Sequence, residues 1–177
     1  MNEASGSSTG DGRDVFVYTG CGAVPVHVTR ARVHPSVATI YDAAFESREG
    51  LIEVDLDPCD GLERIGESAF RECKSLRRIA VPPTVKVIGP QAFRGCEGLA
   101  EVVLSEGLEE IEGGAGCAFG FCKSLERIVI PSTVRRIGGG AFFTCRGLAE
   151  VVLSEGLEEI GGYAFGACKA LERIVIP

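Results

Sequence analysis

A short internal repeat constrains the fold of this chain more than any other feature of its sequence. The fourteen residues from Gly98 to Ile111, GLAEVVLSEGLEEI, recur without change from Gly147 to Ile160. Six Ala-Phe pairs recur at Phe spacings of 25, 23, 26, 23 and 23 residues. The two longer spacings come from insertions within residues 57–61 and 112–117. Because so short a unit cannot bury an apolar face alone, we expect stacked units that share one core.

Each unit contains two short apolar segments followed by the Ala-Phe pair. The segments are rich in β-branched residues at alternate positions, which is typical of strands with one buried face. The segment around the Ala-Phe pair predicts a single helical turn. A weaker copy starts at Val28, so the first strands of successive units are predicted to begin at residues 28, 51, 76, 99, 125, 148 and 171. We therefore expect a right-handed, β-rich solenoid with short helical turns and about six stacked repeats.

The repeat can be written L-x-x-I-x-I-P-x-x-V-x-x-I-x-x-x-A-F-x-x-C, and residues 125–145, LERIVIPSTVRRIGGGAFFTC, follow it closely. This pattern resembles the BspA-like leucine-rich repeats, also called the Treponema pallidum type, over residues 28–177. The resemblance implies a leucine-rich repeat solenoid that binds or holds another protein without catalysis. It also implies an alternative role in cell-surface adhesion or in a structural matrix, because some bacterial members attach to host matrix proteins.

The two ends of the chain differ from the repeats. Residues 1–14 are polar and predict a disordered tail with no signal peptide, which favours a cytoplasmic location. Residues 15–27 predict a hairpin that caps the N-terminal edge, and residues 28–177 form the repeat domain. The sequence predicts no C-terminal cap after Ile176-Pro177, so we expect an apolar edge that belongs either to a fragment of a longer array or to a protein that covers it by self-association. The side chains expected at that edge are Leu157, Ile160, Phe165, Leu171, Ile174 and Ile176.

Charge and hydropathy exclude several partners. The net charge is -7 without a basic cluster, which disfavours nucleic acid and anionic membranes. No stretch approaches the roughly 20 apolar residues of a membrane helix. The partner expected from the sequence is therefore another protein of unknown identity.

Five of the eight cysteines occupy one repeat position and predict a column of buried, reduced thiols. They are Cys73, Cys96, Cys122, Cys145 and Cys168. Disulfide bonds and a zinc site are the less favoured alternatives, because side chains in a column point in parallel directions and do not converge. Cys117 is the best candidate for an irregular thiol, and Cys21 and Cys59 are expected to be exposed in loops.

No group of residues in the sequence predicts catalysis or a cofactor. His27 and His34 are the only histidines, and the repeats place no nucleophile beside them. The glycine-rich stretch 113–124 lacks the spacing of a phosphate-binding loop, so we interpret it as an insertion. We therefore expect the protein not to be an enzyme.

Charged residues of alternating sign recur at one outward position of the first strands. This charge ladder consists of Arg30, Glu53, Arg78, Glu101, Arg127, Glu150 and Arg173. A second column alternates in the same way along Glu63, Lys86, Glu109, Arg135 and Glu158. Neighbouring strands lie about 4.8 Å apart, so each charge should have an opposite neighbour above and below. A slip by one unit would place like charges together, and we hypothesise that the ladder fixes the register.

Two residues further along, the outward position becomes apolar toward the C-terminus. That column begins with Arg32, Asp55 and Ala80 and continues with valine. Exposed valines in strands often reflect β-propensity alone, but a continuous stripe can also be a contact surface for a partner. The candidate contact residues, which we call the valine stripe, are Val103, Val129, Val152 and Val175.

Overall fold

The computed structural model of the chain describes residues 15–57 and 59–177. The predicted tail, residues 1–14, lies outside the described residues. The chain winds into a β-solenoid of about six turns, called coils below, and each coil presents two strand faces and one turn face. The predicted leucine-rich repeat solenoid of about six stacked repeats is therefore confirmed.

Short strands build both strand faces, and all their pairings are parallel. The first face carries β1 Phe16–Tyr18, β2 Arg30–Val33, β4 Glu53–Asp55, β6 Arg78–Val81, β8 Glu101–Leu104, β10 Arg127–Val129, β12 Glu150–Val152 and β14 Arg173–Val175. The second face carries β3 Thr39–Ile40, β5 Arg64–Ile65, β7 Val87–Ile88, β9 Glu110–Ile111, β11 Arg136–Ile137 and β13 Glu159–Ile160. All seven predicted first strands begin two residues later than the sequence predicts, because their leading apolar residue lies before the strand.

The two strand faces differ in continuity. The second face is a single six-stranded sheet, whereas the first face is divided into β1-β2-β4, β6-β8 and β10-β12-β14. Both breaks fall between coils whose spacing is lengthened by an insertion, namely those at residues 57–61 and 112–117. First-face pairing stops at both insertions, while the second face keeps its pairing across them.

The N-terminal segment does not form the predicted hairpin. Within residues 15–27 the structure has a single strand, β1, which pairs in parallel with β2 through the partners Phe16 and Ala31. Parallel strands cannot be joined by a tight hairpin turn. The segment after β1 crosses to the next coil through turns instead, and Val24 and Val28 are buried there.

The predicted helical turn around each Ala-Phe pair is also wrong, since the turn face forms a third hydrogen-bonded ladder. The amide of each Phe donates to the Ala carbonyl of the next coil, as in the Phe70-to-Ala92 bond of 2.7 Å. The same arrangement is found at Phe45, Phe93, Phe119 and Phe142. The amides between these ladder donors close isolated turns within a coil, as in the 3.0 Å bond from Arg71 to the Ser68 carbonyl, so no continuous helix forms. Within the described residues, the single 3-10 turn is Gly114–Gly116 in the insertion.

The core is made of residue columns that run along the solenoid axis. The rings of Phe45, Phe70, Phe93, Phe119, Phe142 and Phe165 stack with centroids 4.9 to 5.4 Å apart. Within the interior coils the inward Leu, Ile and Val side chains are almost completely buried. In the last coil Ile160 and Ile174 are 46% and 45% exposed, while their counterparts Ile137, one coil earlier, and Ile128, two coils earlier, are at most 1% exposed.

Candidate interaction surface

The charge ladder lies on the first face, and the strand register sets its members side by side. Arg30 is paired with Glu53, Arg78 with Glu101, and Arg127 with Glu150. The Nε–Oε2 distances in these pairs are 3.5, 3.1 and 2.7 Å. Glu150 also reaches Arg173 on its other side, with 2.9 Å between Oε1 and Nε.

The ladder is less complete than the sequence suggests. In the described part of the chain no ion pair joins Glu53 to Arg78 or Glu101 to Arg127, because the first face is broken between those strands. Only Glu150 therefore has an opposite charge bound on both sides. The second column of alternating charges is also only partly paired. Lys86 is bound to Glu109 at 3.6 Å and Arg135 is bound to Glu158 at 2.6 Å.

The valine stripe runs beside the ladder and crosses the second break. Val103 and Val129 are 37% and 40% exposed, and Val175 is 38% exposed. Val152 is half-buried between Val129 and Val175, its register partners on either side. The stripe is the apolar part of a face whose other outward positions are mainly charged.

An open groove follows the break between β8 and β10. Its lining consists of Ala100, Glu101, Val102, Val103, Leu104, Glu126, Arg127 and Val129. No backbone hydrogen bond joins β8 to β10 in the described residues, so main-chain donors and acceptors of both strands face the groove. The groove thus combines two exposed valines with unpaired strand edges, which are features that a protein segment can contact.

The cysteine column is buried, and its thiols are free. Cys73, Cys96, Cys122 and Cys145 are 0% exposed, and Cys168 is partly exposed in the last coil. Each thiol donates to the Phe carbonyl of the preceding coil, as in the 3.1 Å bond from Cys96 Sγ to the Phe70 oxygen. Burial raises the pKa of Cys73 to about 12 and also raises the pKa of Cys96 and Cys122.

The three remaining cysteines do not all behave as expected. Cys21 is exposed and Cys117 is partly exposed, but Cys59 is only 1% exposed. The Cys59 thiol donates to the Val33 carbonyl at 3.4 Å, and burial raises its pKa. The expectation of an exposed Cys59 was wrong because this side chain packs in the core, against the Val33 and His34 carbonyls of the preceding coil.

The His34 side chain is engaged within its own turn. His34 Nδ1 lies 2.8 Å from Ser36 Oγ, and the Ser36 amide donates to the same nitrogen at 3.2 Å. The imidazole therefore caps its own turn at an exposed position. Across residues 15–57 and 59–177, no group of His, Cys, Asp and Glu side chains is arranged to hold a metal ion. No helix in that part of the chain is long and apolar enough to cross a membrane.

The turn face carries an aromatic cluster that the repeat pattern does not single out. Phe121 and Phe143 are partly exposed there, with ring centroids 6.3 Å apart in an edge-to-face arrangement. Both lie outside the consensus positions, so periodicity cannot find them. The available signal is compositional, since residues 113–123 and 138–146 replace the charged residues of the earlier Ala-Phe segments with glycine and phenylalanine.

The repeats match a known family over almost the whole chain. The profile of the BspA type leucine rich repeat region fits six copies, over residues 26–117 and 115–177. The chain belongs to this family. The BspA-like resemblance inferred from residues 28–177 is thereby confirmed, and leucine-rich repeat solenoids of this family are generally not enzymes.

Solved structures share the fold. The leucine-rich repeat protein TpLRR of T. pallidum is 28% identical with a TM-score of 0.75, and the match covers 97% of this chain and 78% of that protein. A leucine-rich cell surface protein from Faecalibacterium prausnitzii is 26% identical with a TM-score of 0.58, covering 98% and 53%. The pneumococcal vaccine antigen PcpA, at 20% identity and a TM-score of 0.63, supports the fold alone and is covered over 54% of its length. A comparison with curated proteins found no match.

Proposed function

We propose that this BspA-type solenoid is a non-catalytic protein-binding module and that its contact surface is the valine stripe. The leucine-rich repeat fold itself indicates a role in protein interaction or at a cell surface. Within that role, the stripe offers exposed apolar area on a rigid face, where an apolar anchor of a partner can be buried. The charged ladder beside it supplies a polar rim.

The observation that carries this proposal is the coincidence of the stripe with the break between β8 and β10. Val103 and Val129 stand on the two sides of the break and are both more than a third exposed. Elsewhere on this face outward charges pair across the strands, so a partner would have to displace ion pairs. At the groove it would instead cover valine and bind main-chain groups that the fold leaves unpaired.

Substitution of the stripe tests the proposal. Proteins that the wild-type chain captures from a native extract should no longer be captured by Val129→Asp or by Val152→Asp. The reason is that either substitution would bury an uncompensated carboxylate at the contact. Val87→Asp is the matched control, since Val87 is a half-buried outward valine of the second face. Quantitative mass spectrometry of the captured proteins, with melting curves to verify folding, gives the comparison. Capture that survives both stripe variants would place the contact elsewhere.

A role at a cell surface is the second candidate function. It is supported by the similarity to the Faecalibacterium prausnitzii protein, which is described as a cell surface protein and is 26% identical to this chain. Antibodies raised against the repeat domain should then label intact source cells. Labelling that requires permeabilised cells would argue against this candidate and would leave the binding proposal unaffected.

A further inference from the structure

The turn face changes character halfway along the solenoid. In the first coils its side chains form ion pairs between coils, such as Glu46 with Arg71 at 2.9 Å and Glu49 with Lys74 at 2.7 Å. From residue 113 onward, the Ala-Phe segments 113–123, 138–146 and 161–169 contain no Asp or Glu. Their charged residues are Lys123, Arg146 and Lys169. Lys123 is bound to Glu97 of the preceding coil at 2.7 Å, whereas Arg146 and Lys169 form no ion pair in the described residues, so a protein of net charge -7 carries two unpaired cations on this face.

Aromatic rings and one guanidinium form a cluster on the same face. The Arg94 guanidinium carbon lies 5.1 Å from the centroid of the Phe121 ring, which meets Phe143 edge to face. The Phe143 ring packs over Gly166, where an added Cβ would lie 3.0 Å from Cδ2 of that ring. Glycine at this position therefore makes room for the ring. Exposed Arg146 follows Phe143 by three residues on the same segment.

Phe121 also has an uncommon backbone. Its φ of 63° is left-handed, a conformation that is rare for bulky residues and that persists only where the surrounding structure holds it. The adjacent turn-face ladder holds it, since the Phe121 amide donates to the Phe143 carbonyl at 2.9 Å. The ring is thus presented from a rigid, hydrogen-bonded backbone, as a binding platform requires.

We infer that the cluster of Arg94, Phe121, Phe143 and Arg146 is a docking surface for an acidic peptide segment that carries an aromatic or proline anchor. Charge complementarity selects an anionic partner, since neither arginine forms an ion pair in the described residues and the Ala-Phe segments from residue 113 onward carry no carboxylate. The carboxylates on the Arg94 side of the cluster, Glu72 and Glu97, are bound to Lys74 and Lys123. The two rings supply the apolar contact for an anchor, and aromatic surfaces are a common receptor for proline-containing segments. This assignment adds a second surface to the proposed protein-binding function, on a different face from the valine stripe.

Two other anionic polymers fit the surface less well. A uronic acid glycan needs polar side chains that bond its hydroxyls, but residues 113–123 and 138–146 contain no Asn, Gln, Asp, Glu, Ser or His. A single-stranded nucleic acid would extend beyond the cluster onto faces where carboxylates are abundant, on a chain of net charge -7. A short peptide can place its charges and its anchor within the cluster alone.

Selection from a random peptide library displayed on phage tests the inference on the whole chain. We expect enrichment of peptides that combine Asp or Glu with Phe, Tyr, Trp or Pro. Arg146→Glu should lower the affinity of the chain for the enriched peptides by roughly tenfold, because it places a like charge beside them. Phe143→Ala should also weaken them. Arg77→Glu, which changes the net charge equally on the exposed first face, should leave binding nearly unchanged.

Several outcomes would overturn the inference. These are failure of any acidic sequence to enrich, retention of the enriched peptides by Arg146→Glu, and equal losses in Arg146→Glu and Arg77→Glu. Tighter binding of an oligouronate or of oligothymidylate than of the selected peptides, measured by fluorescence anisotropy, would assign the cluster to those polymers instead. The valine-stripe variants Val129→Asp and Val152→Asp test the proposed function separately, through protein capture. A negative result for peptide binding at the aromatic cluster can therefore be distinguished from a negative result for the valine stripe.

Discussion

At the scale of single residues, the turn face depends on a backbone conformation that its side chains do not favour. The residue before each Ala-Phe pair and the residue two after the Phe have positive φ in all six coils. Only Gly95 and Gly140 are glycine among them, and the other ten positions hold Ala, Ser, Glu, Gln, Cys, Phe, Thr or Tyr. A left-handed L-residue costs about 1–2 kcal/mol. The ladder bonds between coils evidently outweigh this cost.

Ala43→Gly tests the cost directly. Ala43 is exposed with φ 55°, so glycine should relieve the left-handed conformation and lose almost no contact. We expect the free energy of unfolding to rise by about 0.5–1 kcal/mol, after the extra freedom of glycine in the unfolded chain is subtracted. Ala38→Gly is the matched control, because Ala38 is also exposed but is not left-handed, and it should be destabilising. Urea denaturation measures both, and equal losses would contradict the argument.

The buried thiols predict an alkaline loss of stability. Their pKa values in the folded protein lie above the ordinary value of 9.0, at about 12 for Cys73. Above about pH 9 the unfolded chain loses these protons while the folded chain keeps them. The free energy of unfolding should therefore fall by up to about 1.4 kcal/mol per thiol and pH unit. Cys96→Ala should reduce this slope by one thiol's share, as measured by urea titrations between pH 8 and pH 11. An unchanged slope would show that the column does not set it.

At the scale of strands, the insertions decide which ladder charges meet. Coils spaced by 23 residues keep their first-face strands paired, and the ion pairs Arg78–Glu101 and Arg127–Glu150 lie within such pairs. The longer spacings separate β4 from β6 and β8 from β10. The sequence shows the alternation of charge, but it does not show that insertions in a turn break only one of two sheets.

Glu150 should therefore matter more than any other acidic residue of the ladder. It binds Arg127 and Arg173, and its side chain is 21% exposed, whereas Glu101 binds Arg78 alone and is 57% exposed. We expect Glu150→Arg to cost about 1–2 kcal/mol at low salt and Glu101→Arg less than about 1 kcal/mol. Both losses should shrink as salt is added. Thermal melts of the two variants in low and high salt compare them, with Glu150→Gln as the uncharged control. A larger loss from Glu101→Arg would show that the break does not weaken the ladder.

The strand elements were predictable from sequence because their signal repeats in every unit. Inward apolar columns such as that of Leu125 and Leu148 recur every 23 residues outside the insertions, and repetition reinforces what a single unit would leave ambiguous. The turn face was not predictable for the opposite reason. Its left-handed positions differ in residue type from coil to coil, so propensity carries no signal there. The aromatic cluster of Phe121 and Phe143 was missed because it breaks the repeat instead of following it.

At the scale of the whole molecule, the structural period is one coil but the chemical period is two. Coils 76–98 and 125–147 each contain four basic residues and one acidic residue. Coils 99–124 and 148–170 contain five and four acidic residues, each with a single basic residue. The recurrence of GLAEVVLSEGLEEI after 49 residues reflects this larger module. Each coil is therefore attracted by both neighbours, and the core columns alone cannot distinguish odd from even coils.

Deletion of coils separates the two periods. Removal of residues 99–147 takes out one complete module and joins identical surroundings, so the sign alternation is retained. Removal of residues 125–147 takes out one coil, preserves every core column, and sets Glu109 beside Glu158 and Glu110 beside Glu159 on the second face, where strand pairing continues across the insertion. Nearest-neighbour coupling in repeat proteins means that both variants should fold, with stability reduced by the lost interfaces. Only the single-coil deletion also introduces like-charge contacts between adjacent strands.

The two deletion variants should consequently differ in their response to salt. We expect the single-coil deletion to gain stability steeply as salt is raised, because screening weakens the new repulsion between carboxylates. The module deletion should respond like the full-length chain. Urea denaturation at several ionic strengths gives the three slopes, and Glu109→Gln with Glu110→Gln in the single-coil variant should remove its excess slope. Equal salt responses of both deletions would show that packing alone holds the coils in order and would refute a role of charge in the register.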